Sequence, residues 1–264
     1  LALPKDIGLQ PTNLLPTGDT MNTSHYGTLY GIGVGPGDPD LIPLKSIKII
    51  RRVEVIFAAS STKNAHSQAV TIAAPHIPEN SRVRLLPFPM TKNQVEKEAC
   101  WQAHARTIIT EMEKGRDVAF LTLGDSLTYA TYGYVLKYVL ALAPGAPVVT
   151  VPGITAYQAA AARVNRPLVE GEESLLVLSG VEGGHRLRQL SETVDNVVFM
   201  KAYRNAGDIT DALEETHMLE NSVAVANCCL ANEEVIEDIK TLKDRKPGYW
   251  TLILAKKNSD HEAR

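Results

Sequence analysis

The residues best placed to do chemistry in this 264-residue chain are a glycine and an aspartate, Gly124 and Asp125, that follow an apolar run. The run Val118–Leu123 suits a buried parallel strand. Gly124 lets the backbone turn sharply at its carboxyl end, where small ligands bind in open α/β sheets. Two further turns share this character: Gly31-Ile32-Gly33-Val34-Gly35-Pro36-Gly37-Asp38 upstream and Pro152-Gly153-Ile154-Thr155-Ala156 downstream. Turns rich in glycine expose backbone donors and acceptors to a small polar ligand. The competing role for Asp125 is local, as a turn or helix-capping residue.

Several other chemistries are excluded. The first turn is not a dinucleotide fingerprint, because counting from Gly31 puts Pro36 where the third glycine belongs and counting from Gly33 puts Asp38 there. Proline removes an N–H and fixes φ, which suits a rigid turn better than a pyrophosphate cradle. The seven histidines, His25, His66, His76, His104, His185, His217 and His261, are irregularly spaced and read as surface residues. Of the three cysteines, Cys100 is alone and Cys228 and Cys229 are adjacent, so no metal site or disulfide framework is expected. Reduced thiols in a cytoplasmic protein fit that pattern. A formal charge of −3 and a pI near 6.2 argue against a nucleic-acid partner. The uncharged stretch Tyr138–Ala162 is broken by Pro144, Gly145, Pro147, Pro152 and Gly153, so no membrane span is expected.

These turns need a frame, and from Thr28 onward short apolar runs alternate with helical patterns. Strands are expected at Leu29–Val34, Val53–Ala58, Val83–Leu86, Val118–Leu123 and Val148–Val151. Helices are expected near Leu44–Arg51, Ser67–Ala74, Gln94–Lys114 and Leu127–Ala141. Thr91 with Gln94 forms a capping-box pattern, and Gly115 is a suitable stop. The charged segment Arg163–Glu173 marks a boundary. Beyond it a second series follows: strands Ser174–Ser179, Val197–Met200, Val223–Ala226 and Tyr249–Ala255, with helices near His185–Thr193, Asp208–His217 and Glu233–Leu242. The expected organisation is a leader over 1–25, an N-terminal α/β domain over 26–165 with a mainly parallel sheet, and a C-terminal α/β domain over 166–258 with a mixed sheet. A ligand cleft is expected between the two domains.

In their order and spacing, GIGVGPGDPD (Gly31–Asp40), LTLGD (Leu121–Asp125) and VPGITA (Val151–Ala156) resemble the S-adenosylmethionine-dependent tetrapyrrole methylases. The resemblance covers about Thr28 to Ala255. LPFPMT (Leu86–Thr91) followed by Trp101, PGITAYQAAAARVNRPLVEGEE, and MKAYRN (Met200–Asn205) are similar to one branch of that family. Its members methylate C-20 of a corrin precursor, precorrin-2 or cobalt-factor II, in cobalamin biosynthesis. The stretch Thr128–Tyr132 is nearer the enzymes whose substrate carries cobalt, and any cobalt would enter with the substrate. Two departures stand out: Ser126 occupies the place of a usual proline, and Cys228 falls where relatives often have glycine.

The resemblance implies S-adenosylmethionine as co-substrate, folded in the cleft between the domains. It puts Pro36, Leu123, Gly124, Asp125, Thr128, Thr155, Ala156 and Met200 around the cofactor. The substrate would be a carboxylate-edged macrocycle, for which Tyr129, Arg163, Arg166, Lys201 and Arg204 are candidates by position. Arginine suits carboxylates through its two-pronged geometry, with a solvated surface role as the alternative for each cation. The C-20 carbon is electron-rich, so in-line attack on a sulfonium methyl needs no strong base, and no catalytic residue is assigned. A homodimer is expected, partly as the resemblance implies and partly because bracing benefits a cleft between two small domains. The rival readings are another methyltransferase of the family, acting at a different position or on a non-tetrapyrrole substrate such as RNA or protein, and a non-catalytic binding module.

Overall fold

The computed structural model of the chain describes residues 26–61 and 66–257, so the leader expected over 1–25 lies outside the described residues. The first half builds a fully parallel sheet from β1 (Leu29–Gly33), β2 (Val55–Ser61), β3 (Arg82–Phe88), β4 (Val118–Thr122) and β5 (Val148–Val151), ordered β3-β2-β4-β1-β5. Residues alternate across it. Leu29, Val55, Phe57, Val118 and Phe120 face α3 (Gln94–Met112) and α4 (Tyr132–Leu142). Tyr30, Ile32, Ile56, Ala58 and Leu121 pack with α1 (Leu44–Ile50) and α2 (Gln68–Ala73). Burial on both faces explains why these strands read as continuous apolar runs.

The second sheet contains β6 (Leu175–Ser179), β7 (Asn196–Met200), β8 (Ser222–Ala226), β9 (Glu234–Ile236) and β10 (Thr251–Lys256), ordered β6-β7-β10-β8-β9. Only β6 and β7 pair in parallel, so the sheet is mixed as expected. Helices α6 (His185–Leu190) and α7 (Ala206–Glu215) cover one face through Leu187, Ile209 and Leu213. The other face takes α5 (Ala156–Arg163), whose Ala159, Ala160 and Ala161 pack with Val198, Val225 and Leu252. Since α5 leaves directly from the turn after β5, that turn is held against both sheets.

Three local expectations give way to competing interactions. The helix expected from Leu127 begins at Tyr132, because the Asp125 carboxylate takes the Leu127 and Thr128 N–H groups into a turn. Asn93 rather than Thr91 caps α3, its Oδ1 accepting from Val95 N and Glu96 N, while Thr91 Oγ1 accepts from Asn93 N. The stretch expected to be helical over Glu233–Leu242 instead adds β9 to the edge of β8 and continues into a 3-10 turn, Ile239–Lys243. No helix among the described residues is long and apolar enough to cross a membrane.

Candidate functional site

Because β4, β1 and β5 are neighbours, the turns at their carboxyl ends converge. Gly35 and Gly124 exchange both backbone hydrogen bonds, N–H of Gly35 to O of Gly124 at 3.2 Å and N–H of Gly124 to O of Gly35 at 2.7 Å. Their φ angles of 76° and 71° lie in the left-handed region that glycine enters without strain. Gly153 closes the arrangement from the third turn. A Cβ built there would sit 2.2 Å from the Gly124 carbonyl oxygen, so nothing larger fits without parting the turns.

Asp125 fastens this junction. Its Oδ1 accepts from Leu127 N (2.9 Å), Thr128 N (3.0 Å) and Thr128 Oγ1 (3.0 Å), and its Oδ2 accepts from Gly153 N (3.1 Å). Burial pushes the carboxyl pKa up, but the bonds from Leu127, Gly153 and Thr128 outweigh it and hold the group below its ordinary value. Oδ1 is filled, while Oδ2 keeps acceptor capacity for one more donor. Ser126 replaces proline's rigidity with a tether, its buried hydroxyl donating to Val151 O at 3.1 Å. Thr155 caps α5 in a reciprocal box with Gln158, which fixes where the third turn ends.

Beside the three turns lies a cavity of about 360 Å³, within the size range of small-molecule sites, with walls from both sheets. Every cofactor candidate lines it: Pro36, Leu123, Gly124, Asp125, Thr128, Thr155, Ala156 and Met200. Of the substrate candidates, Tyr129 and Lys201 line it as well. The Lys201 ammonium lies 5.4 Å from the Tyr129 ring centroid, and burial pulls its pKa down. Among the described residues no carboxylate pairs with it.

Three arginines expected at the macrocycle do not reach the cavity wall. Arg163 is engaged by Glu233, Arg166 donates to the backbone oxygen of Asn221, and Arg204 lies over the Tyr203 ring at 5.4 Å. Position in the sequence placed them near the site, but intramolecular partners hold each of them. The structure adds wall residues that spacing did not single out. Thr122 is buried at the carboxyl end of β4, and among the described residues its hydroxyl has no hydrogen-bond partner. The alternation of β4 points it away from Leu121, and a polar residue closing an apolar strand was the available signal. Tyr134, Tyr249 and Trp250 supply exposed aromatic surface to the cavity, and Tyr134 stacks on Trp101 at 4.2 Å. His104 is buried rather than on the surface, its Nε2 2.8 Å from Pro87 O, and burial lowers its pKa. Cys228 also lines the cavity, where burial raises its thiol pKa.

Comparison with known proteins identifies the family. The family model described as tetrapyrrole (corrin/porphyrin) methylases matches residues 28–243. A cobalt-precorrin-2 C(20)-methyltransferase of Salmonella typhimurium is 31% identical over 238 residues, 89% of this chain and 98% of the relative. A precorrin-2 C(20)-methyltransferase of a Sinorhizobium species is 30% identical over 241 residues, 86% of this chain and 94% of its own. Among solved structures, a cobalt precorrin-4 methyltransferase superimposes with a TM-score of 0.65 at 20% identity, covering 90% of this chain and 98% of its own. A uroporphyrin-III C-methyltransferase from Thermus thermophilus, complexed with S-adenosylhomocysteine, gives 0.60 at 21% identity, covering 86% of this chain and 97% of its own. With the family model spanning the whole first sheet, all three turns and four of the five strands of the second sheet, the chain belongs to the tetrapyrrole methylases.

Proposed function

We propose that this chain is an S-adenosylmethionine-dependent C-methyltransferase that adds a methyl group at C-20 of a corrin precursor in cobalamin biosynthesis, with cobalt-factor II favoured over metal-free precorrin-2. One observation carries the reading: every cofactor candidate lines one cavity, whose lining also includes Lys201 and four aromatic side chains. Relatives about 30% identical over most of the chain, with C-20 methylation in their names, support the position.

Pro36, Leu123, Gly124, Asp125, Thr128, Thr155, Ala156 and Met200 would hold the cofactor, which supplies an electrophilic methyl group when bound. The residues fit it, since the turns give backbone polar atoms and Thr122 gives a buried hydroxyl awaiting a partner. The chain's contribution is alignment, through a junction fixed by Asp125, and such positioning supplies up to roughly 7–11 kcal/mol of a barrier. Tyr129, Tyr134, Tyr249 and Trp250 give an apolar floor for a flat macrocycle. Lys201 offers the charge for one of its carboxylates. A homodimer completes the proposal, to be checked by sedimentation at micromolar concentration.

The test presents cobalt-factor II and metal-free precorrin-2 in competition, with isotopically labelled S-adenosylmethionine and mass analysis. The expected result is one methyl per macrocycle and a higher kcat/KM for the cobalt form. Preference for the metal-free form would reverse the cobalt assignment, and transfer to neither would remove the C-20 assignment.

A further inference from the structure

At the edge of the cavity, the turn after β8 brings Cys228, Cys229 and Glu233 together. Their two sulfurs and a carboxylate oxygen lie within 4.8 Å of one another. From this cluster we propose that the chain carries a site for a thiophilic divalent cation of the zinc class, formed by the two thiolates and the Glu233 carboxylate.

Three observations support it. The Cys228 and Cys229 sulfurs are 3.7 Å apart. Two thiolates on a tetrahedral zinc, each about 2.3 Å from the metal, are separated by about 3.75 Å, so the pair already stands at the required spacing. The turn is also built before any ion arrives. Asn227 N–H donates to Trp250 O, Leu230 N–H to Asn227 O, Glu233 N–H to Leu230 O, and Cys229 N–H to Glu233 Oε2 at 2.7 Å. Asn227 and Cys229 hold left-handed φ values of 52° and 62°, a conformation that non-glycine residues rarely adopt. Finally, the charges balance. Two thiolates and a carboxylate carry three negative charges, which a divalent ion and the Arg163 guanidinium on Glu233 neutralise together.

The set leaves a fourth tetrahedral position for water or another small donor. Glu233 Oε2 is anchored by the Cys229 N–H and Oε1 by Arg163, an outer contact of the kind that orients a metal-bound carboxylate. Cys228 also lines the cavity, so the site borders the ligand space without depending on methyl transfer.

The test titrates the full chain with cadmium chloride under a phosphine reductant and follows the ultraviolet thiolate-to-metal band. The expected result is saturation at one ion per chain and suppression of the band by zinc chloride. Cys100→Ser should leave the titration unchanged, the double variant C228S/C229S should abolish the band, and Glu233→Gln should weaken binding at least about tenfold. Circular dichroism checks that each variant is folded. Should the double variant fail to fold, Cys229→Ser alone, at a half-buried position, should at least halve the band and weaken binding, and an undiminished band would overturn the proposal. A band that survives loss of the Cys228–Cys229 pair, a wild-type chain with no band, or a Glu233→Gln titration equal to wild type would overturn the proposal.

Discussion

Replacing Asp125 by asparagine tests whether a carboxylate clasp, rather than the glycines alone, sets the geometry of the three turns. The side chains are nearly isosteric, so no cavity is created. Asparagine keeps one carbonyl oxygen for the Leu127 and Thr128 donors, but its amide nitrogen then meets Gly153 N–H, donor against donor. One hydrogen bond to a charged acceptor is lost, worth about 1.5–3 kcal/mol. If that energy holds the turns in their ligand-ready positions, affinity for S-adenosylhomocysteine should fall roughly 10- to 150-fold. Gly153→Ala reaches the same junction differently, by wedging a methyl group against the Gly124 carbonyl. It should weaken the ligand as well, and the two changes together should cost less than their sum. Calorimetric titration of each variant, with thermal melts alongside, reads both effects. Because the Asp125 carboxyl is held below its ordinary 3.8, its contribution is fully present above that value. It should be lost only as pH falls through the lowered pKa, so affinity should be flat between about pH 5 and 8 on this account. Asp125→Asn binding within twofold of wild type would refute the clasp, and tenfold loss with Gly153→Ala unaffected would make Asp125 a direct ligand contact instead.

Thr122→Val removes a buried hydroxyl with no internal partner, so stability should hold while S-adenosylhomocysteine affinity drops about fivefold, about 1 kcal/mol; lost stability with unchanged affinity would contradict this. Lys201→Gln should raise the macrocycle KM about tenfold or more with kcat nearly unchanged, the pattern of lost uniform binding, and an unchanged KM would remove Lys201 from the substrate site. Glu111, beside Lys114, Arg116 and Arg84, has its carboxyl lowered to about 2, chiefly by the Lys114 hydrogen bond. Its stabilisation is therefore complete above 4.5 and lost as pH falls toward about 2, so acid titration of Glu111→Gln should show a flatter loss of Tm than wild type.

The strands and turns that hold the cofactor candidates were legible because their signals are local. An apolar run followed by Gly124-Asp125 needs only its own residues to end a strand, and the same holds for Gly31–Gly37 and Pro152–Ala156. What escaped depends on partners distant in sequence. Arg163 and Arg166 look like free cations until Glu233 and the Asn221 carbonyl appear, 70 and 55 residues away. The helical pattern over Glu233–Leu242 yields to strand pairing with β8, which no local periodicity reveals. Tyr249 and Trp250 reach the cavity only because β10 inserts between β7 and β8, a sheet order invisible in linear sequence. The adjacent cysteines lacked a familiar metal spacing, and their third partner, Glu233, is brought in by the turn itself. The position of Ser126 was visible, but its tether to Val151 was not, since the acceptor belongs to a strand 25 residues on.

On the proposed function, the cavity lined by both sheets presents one bridge carbon of a corrin precursor to the methyl donor. Carbon-13 NMR of the macrocycle formed with methyl-labelled S-adenosylmethionine tests it most directly. A single enriched methyl signal correlated with C-20 is expected, and a label on any other carbon would overturn methylation at that bridge.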